Sequence, residues 1–400
     1  MKIVIAGGGP GGYTAALSAA AYGAETMLIS DELGGTCLHR GCIPTKLFLQ
    51  EKPCRTHARQ VGAAFSAMEQ QTAAGMQYRL KKSGVTLKQG RASLTPSGEL
   101  LLGTEHIPYD RLILATGSVP RQPVLPGDNG YRFLDPLAFL HDPASLPDHV
   151  CILGGGAVGV ELAVILHQMG IHVAVAEQQE EILPGADPGL AARLRTLLEE
   201  QGIAFHLGCD TPVYRDVIPC CGRVPVLPDG AQALLCRDGA LVLDEHYRTL
   251  RPHIFAIGDC TGRSHEAAEA SQQAYAVTDF LFGKPTPYRV TAHCIYTTPN
   301  LAWAGTARQG DRSVSVSFPE LPAGQIAGES SSVLKLCYAP DTGEITAVHI
   351  LSRQAALLIG TAQMLLQQHT TVRELSPMAF PHPTPLELFS EAAARAEKKI

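Results

Sequence analysis

Two stretches of this chain carry the same order of apolar, small and polar positions. From Lys2 to Ser30, KIVIAGGGPGGYTAALSAAAYGAETMLIS runs from a short β-branched segment through a glycine cluster and an Ala/Leu-rich stretch to a second apolar segment. From Val150 to Glu177, VCILGGGAVGVELAVILHQMGIHVAVAE repeats that order. Each predicts strand, glycine turn, helix and strand. Further along, HIFAIG predicts a buried strand, VIPCCGRVP a strand with Cys220 and Cys221 buried at its end, and VLKLCYAPDTGEITAVHIL a hairpin turning at Asp341 to Gly343. No run reaches the roughly 18 uncharged apolar residues of a membrane span. The segment Met1 to Ala24 is apolar, but its glycines interrupt any secretory core, so it is expected to stay in the mature protein.

Both glycine clusters read G-x-G-x-x-G between a strand and a helix, the context of a dinucleotide-binding βαβ unit. Gly7 and Gly154 make the tight turn, Gly9 and Gly156 let a pyrophosphate approach the backbone, and Gly12 and Gly159 allow close helix packing. The helix N-terminus stabilises the phosphate charge. Glu177 ends the second strand of the later unit, where a carboxylate accepts hydrogen bonds from ribose hydroxyls. No arginine beside it would welcome a 2′-phosphate, so NADH is expected rather than NADPH. In the first unit that place is held by Ser30, with Asp31 next to it.

The chain has 400 residues, 45% of them hydrophobic, enough for two or three packed cores. A net charge of −6 without a basic stripe, and 6% aromatic residues, argue against a nucleic-acid surface. Eleven cysteines form an odd, irregularly spaced set, which suits reduced thiols in the cytoplasm.

One close pair stands out in GGTCLHRGCIPTK, Gly34 to Lys46. This segment resembles the redox-cysteine segment of the flavoprotein disulfide reductases, the family of dihydrolipoamide dehydrogenase, glutathione reductase and mercuric reductase. The likeness extends through LILATGSVP around Thr116, GRVP around Arg223, IFAIGDC around Asp259, YTTPNLAWAG around Pro299 and HPTPLE from His382. It implies an α/β fold: two Rossmann-like dinucleotide-binding domains, for FAD and NAD(H), and a C-terminal α+β dimerisation domain. The expected boundaries are 1–118 with 225–287 for FAD, 119–224 for a shortened NAD(H) domain, and 288–400 for the interface.

By this resemblance, hydride from NADH reduces FAD, and two electrons pass to a Cys37–Cys42 disulfide through Cys42. Cys37 is the interchange thiol, attacking a disulfide substrate through a mixed disulfide that Cys42 resolves. His382 is the base, oriented by Glu387 and supplied by the other subunit of a homodimer. Lys46 and Glu161 match a buried pair beside the flavin. Asp259 bonds the ribityl chain, and Gly35, Thr36, Thr116 and Gly117 join the first-unit glycines and Asp31 in the FAD site. Five helical steps span about 7.5 Å, more than the limit of about 6.8 Å between the Cα atoms of a disulfide. A bridged pair therefore needs a break, expected at Gly41 with the helix proper starting near Pro44.

The chain departs from the family pattern in two shortened stretches, Leu47 to Ala115 and Gly202 to Gly222, the second losing most of an antiparallel meander. Phe380 stands where the family has the first histidine of H-x-H-P-T, and Glu266 and Ala268 replace its L-A-H. The expected substrate is a small dithiol or disulfide such as lipoamide, free or on a carrier protein. Reduction of another small disulfide or of mercuric ion stays open, as does a flavin-binding electron-transfer or assembly protein without turnover. The C-terminus EAAARAEKKI lacks a cysteine pair for mercury, and no resident metal is expected.

Overall fold

The computed structural model describes residues 1–125, 130–235, 241–263, 265–286 and 290–400. The expected boundary between 287 and 288 lies outside them. The chain opens as β1 (Lys2–Ala6), α1 (Pro10–Ala21) and β2 (Glu25–Ser30), followed by α2 (Gly35–Arg40), α3 (Cys42–Glu51), the long α4 (Arg55–Lys82) and β3 (Thr86–Gln89). A small antiparallel sheet, β4 (Ala92–Leu94), β5 (Leu100–Leu102) and β6 (Glu105–Ile107), precedes β7 (Arg111–Leu114) and β8 (Ser118–Pro120). Along β1, Ile3 and Ile5 pack with Ala15, Ala16 and Leu28, while Val4 and Ala6 pack with Leu112, Leu114 and Ile254. Alternate side chains thus enter separate cores on the two faces, as a strand buried on both sides requires.

The second repeat follows β9 (Arg132–Phe133) and α5 (Ala138–His141): β10 (His149–Leu153), α6 (Ala157–Gln168), β11 (His172–Glu177), α7 (Pro188–Gln201), β12 (Ala204–Leu207) and β13 (Asp216–Pro219). These strands form a parallel sheet in the order β12-β11-β10-β13-β9. Gly208 to Arg215 join β12 to β13 without an intervening strand, in keeping with the expected loss of the meander there. The chain returns through β14 (Arg223–Pro225), antiparallel to β8, then β15 (Ile254–Ala256) and α8 (Ala267–Leu281). β15 completes the first parallel sheet, order β15-β7-β1-β2-β3.

The C-terminal part contributes β16 (Ala292–Ile295), β17 (Asn300–Gly305), β18 (Arg312–Ser317), α9 (Pro322–Ala327), β19 (Val333–Tyr338), β20 (Ile345–Ser352), α10 (Ala355–Gln367), α11 (Val372–Leu375) and α12 (Glu387–Glu397). Its antiparallel sheet runs β16-β17-β20-β19-β18, and β19 and β20 form the hairpin read from the sequence. Leu334, Leu336 and Ile350 pack with Leu358 and Ala362 of α10 and Phe389 and Ala393 of α12.

By density of contacts the chain divides into two compact units. The first comprises Met1–Pro123, Leu137–Ser145 and Cys221–Pro287; the second comprises Val124–Pro136, Leu146–Cys220 and Tyr288–Ile400. Among the described residues, no helix is long and apolar enough to cross a membrane.

Candidate active site

The two glycine turns have matching geometry. Gly7 and Gly154 have φ of 111° and 117°, the left-handed region where glycine is at home. A Cβ on Gly12 would lie 1.9 Å from the Gly7 carbonyl oxygen, and one on Gly159 would lie 1.9 Å from that of Gly154. Only a hydrogen fits at either place. At Gly9 and Gly156, by contrast, a Cβ would meet nothing within 4 Å. Each unit therefore leaves open space at the start of a twelve-residue helix whose first N–H groups lack intrahelical partners, the cradle that a pyrophosphate needs.

Around the first cradle the expected flavin residues gather within one unit. Gly35 presses close, since its Cβ would come 2.9 Å from Gly9 Cα, and Thr36 lies in the first turn of α2. Thr116 donates its hydroxyl to the Val226 carbonyl, and the Gly117 carbonyl accepts the Val226 N–H. Asp259 Oδ2 accepts the Ser118 hydroxyl at 2.5 Å, and Arg223 Nε donates to that same hydroxyl at 2.6 Å. Asp31 faces Arg91 Nε at 2.7 Å, and this bond holds its carboxyl below the usual range, while Ser30 Oγ donates to the Glu32 carbonyl. The open space, the helix terminus and the anchored carboxylate of Asp259 fit FAD.

At the second cradle Glu177 is buried. Its Oε2 accepts the Gly155 N–H at 2.6 Å and its Oε1 the Gln179 N–H at 2.8 Å. A carboxylate has about four acceptor sites, so ribose hydroxyls could still be accommodated. Open space at Gly156 beside this carboxylate fits NAD(H).

Cys37 lies within α2 and Cys42 opens α3; both are free thiols and half-buried. The helical path breaks at Gly41 (φ −144°, ψ −111°), as a bridgeable pair demands. The second helix begins at Cys42, however, not near Pro44. Pro44 falls within its first turn, where the missing N–H costs nothing. A hydrogen bond with Cys42, reinforced by burial, holds the Cys37 thiol far above the ordinary range, and the charge of Lys46 pulls the other way.

The expected His382–Glu387 pair forms in the C-terminal part. His382 Nδ1 lies 2.7 Å from Glu387 Oε1, and Glu387 Oε2 accepts the Thr384 N–H at 3.0 Å. These bonds depress the Glu387 carboxyl. With Nδ1–H given to the carboxylate, the basic lone pair sits on Nε2 of a ring whose side chain is 67% exposed. Lys46 is half-buried on α3, and Glu161 is buried on α6, where its Oε1 accepts the Tyr296 N–H at 3.0 Å.

The family model for pyridine nucleotide-disulphide oxidoreductases matches residues 1–274, and the model for that family's dimerisation domain matches residues 291–393. The chain belongs to the pyridine nucleotide-disulphide oxidoreductase family. A dihydrolipoyl dehydrogenase of Bacillus subtilis (strain 168) is 30% identical over 468 aligned positions, covering 99% of this chain and 98% of that protein. One from Halobacterium salinarum is 27% identical, over 98% and 96% of the two chains. The crystal structure of LpdA from Mycobacterium tuberculosis superposes with a TM-score of 0.87 at 25% identity, covering 99% of each chain. The HOCl-induced flavoprotein disulfide reductase RclA of Escherichia coli shares the fold, with a TM-score of 0.87 at 22% identity over 98% and 99% of the two chains.

The fold expected from sequence, two Rossmann-like domains and a C-terminal dimerisation domain, is the fold of this member of the pyridine nucleotide-disulphide oxidoreductases. It is a flavoprotein disulfide oxidoreductase, and its family binds FAD and a pyridine nucleotide. Its 400 residues against 468 aligned positions accord with shortened stretches. Cys220 and Cys221 need correction: β13 ends at Pro219, so both lie beyond the strand and are half-buried, not buried within it. Sequence reasoning also passed over His39, between the two cysteines, whose partners are described below.

Proposed function

We propose that this protein is an NADH-linked, FAD-dependent dithiol/disulfide oxidoreductase most like dihydrolipoamide dehydrogenase, acting as a cytoplasmic homodimer. The division into 1–118 with 225–287, 119–224 and 288–400 is part of the same reading. One observation carries it: Cys37 and Cys42, both half-buried thiols, flank a helix break at Gly41. The attacking form in disulfide exchange is the thiolate, and the His382–Glu387 pair has the chemistry to supply the base that forms it.

Gly7, Gly9, Gly12, Asp31, Gly35, Thr36, Lys46, Thr116, Gly117 and Asp259 would hold FAD; Gly154, Gly156, Gly159 and Glu177 would hold NAD(H). FAD, when bound, supplies two-electron exchange between nicotinamide and dithiol. Glu161, with Lys46, would set the charge beside the flavin. In the reductive direction, His382 Nε2 of the partner subunit takes the Cys37 proton, and the Cys37 thiolate attacks one sulfur of a small disulfide. The first substrate thiol leaves with a proton returned from His382. Cys42 then attacks the Cys37 sulfur, its proton passing to the second substrate sulfur as that thiol leaves, and the Cys37–Cys42 disulfide closes. The reverse sequence oxidises a dithiol such as dihydrolipoamide, free or carried on a protein.

Anaerobic titration with NADH, followed by assays on lipoamide, glutathione disulfide and mercuric ion, tests this reading. A long-wavelength thiolate-to-flavin band after two electrons, with turnover of lipoamide above the others, is expected. The direct connection of β12 to β13 favours a second reading, a flavin protein with no NADH-driven turnover. Flavin that bleaches with dithionite but not with NADH would select it.

A further inference from the structure

His39 lies near the end of α2, between the two cysteines, with its side chain only 13% exposed. Nε2 stands 2.6 Å from the Leu33 carbonyl oxygen, and Nδ1 stands 2.6 Å from Glu69 Oε1. Both neighbours are acceptors: a carbonyl oxygen has no proton to give, and neither has an ionised carboxylate. A neutral ring has one N–H and would turn a lone pair toward the other oxygen. An imidazolium satisfies both, with a charge-assisted bond to Glu69. Leu33 belongs to the turn that leads into α2, and Glu69 to the middle of α4. The ring therefore ties the beginning of the cysteine segment to a separate helix. Arg40 adds a second tie through Glu32, but that pair is more open to solvent (52% and 35%) and contributes less.

We propose that His39 is a positioning residue for the cysteine pair: by donating to Leu33 and Glu69 at once, it fixes the segment that turns at Gly41 and with it the approach of Cys37 to Cys42. The proposal rests on the reading of that pair as redox-active. A disulfide between two thiols is stabilised by their effective concentration, which falls when the connecting segment is free to open. Loosening the tie therefore makes the disulfide easier to reduce. The exchange is balanced as protein disulfide plus two glutathione thiols giving the protein dithiol plus glutathione disulfide.

The test equilibrates the flavin-loaded, full-length protein with graded mixtures of reduced and oxidised glutathione, traps thiols by alkylation, and quantifies the peptide carrying Cys37 and Cys42. H39A is expected to move the midpoint about tenfold toward the dithiol, about 30 mV less negative for a two-electron couple. E69L carries the same expectation and keeps the question open to test if H39A fails to fold; retained flavin absorbance and melting temperature report folding. E69Q is expected to match the wild type, because the Gln amide can donate to Nδ1 while Nε2–H still donates to Leu33. A titrating wild-type pair with an unmoved midpoint in H39A and E69L overturns the proposal alone. E69Q moving as far as E69L also overturns it, since charge rather than the tie would then be responsible. A wild-type pair that never forms a disulfide overturns the redox reading, and this proposal with it.

Discussion

The Glu177 carboxylate accepts the N–H of Gly155 at 2.6 Å, so the side chain marked for ribose recognition also braces the glycine turn beneath it. A brace and a proposed ribose contact on one carboxylate predict two separable losses. Glu177→Ala strands the Gly155 and Gln179 N–H groups and should cost about 1–3 kcal/mol of stability, while raising the KM for NADH at unchanged FAD content. Thermal unfolding and steady-state kinetics on the same preparation check both. A stability loss with an unaltered KM would remove Glu177 from the coenzyme site.

The glycines of one motif should respond differently to the same methyl group. Gly12→Ala drives a Cβ onto the Gly7 carbonyl oxygen and should abolish FAD retention with loss of folded protein, an overpacking cost of about 1–3 kcal/mol or more. Gly9→Ala meets no protein atom and should keep its melting temperature when compared without flavin, yet retain less FAD. Flavin absorbance per mole of chain, read beside calorimetry, separates the two outcomes.

Removing the proposed base should spare the nucleotide half of the reaction. His382→Ala is expected to slow disulfide turnover by about 10²- to 10⁴-fold, while rapid mixing with NADH still bleaches the flavin at the wild-type rate. Glu387→Gln should act in the same direction. Because hydrogen bonds with His382 and Thr384 hold the Glu387 carboxyl below its ordinary 4.5, their contribution is present above that value and is lost as pH falls through the depressed one. Slowed flavin bleaching in either variant would contradict these roles.

Cys54 is exposed, and its thiol is lowered to about 6 by hydrogen bonds with Thr56 and with His57, whose Nδ1 lies 3.0 Å from Sγ. Alkylation by iodoacetamide at this residue should therefore switch on as pH rises through about 6. His57→Ala should move the midpoint toward the ordinary 9.0. Peptide mapping by mass spectrometry gives the rate at each cysteine. A midpoint at 9.0 in the unmodified chain would show that these hydrogen bonds do not persist in solution.

The twin glycine motifs were legible because their constraints are local: a turn, an approach and a close contact are each written within six residues. The β19–β20 hairpin was legible for the same reason. The end of β13 was not, since it is fixed by pairing with β10, where Pro219 stands opposite Leu153 and the ladder stops. Cys220 and Cys221 carry no mark of that limit. The start of α3 at Cys42 follows from the backbone break at Gly41, which the sequence located while giving Pro44 more weight than it has. His39 was silent because Glu69, its carboxylate partner, comes from a helix thirty residues further on.

The direct passage from β12 to β13 also bears on how the nucleotide sheet assembles. Closing a flexible loop costs chain entropy that grows with its length, about 0.6 kcal/mol for each doubling. The stretch from Gly208 to Arg215 is a short tether, so once β12 is paired at the edge of the sheet, β13 reaches its place beside β10 with little of that penalty. What this chain forgoes in covering strands, it partly recovers in the ease with which β13 finds its place.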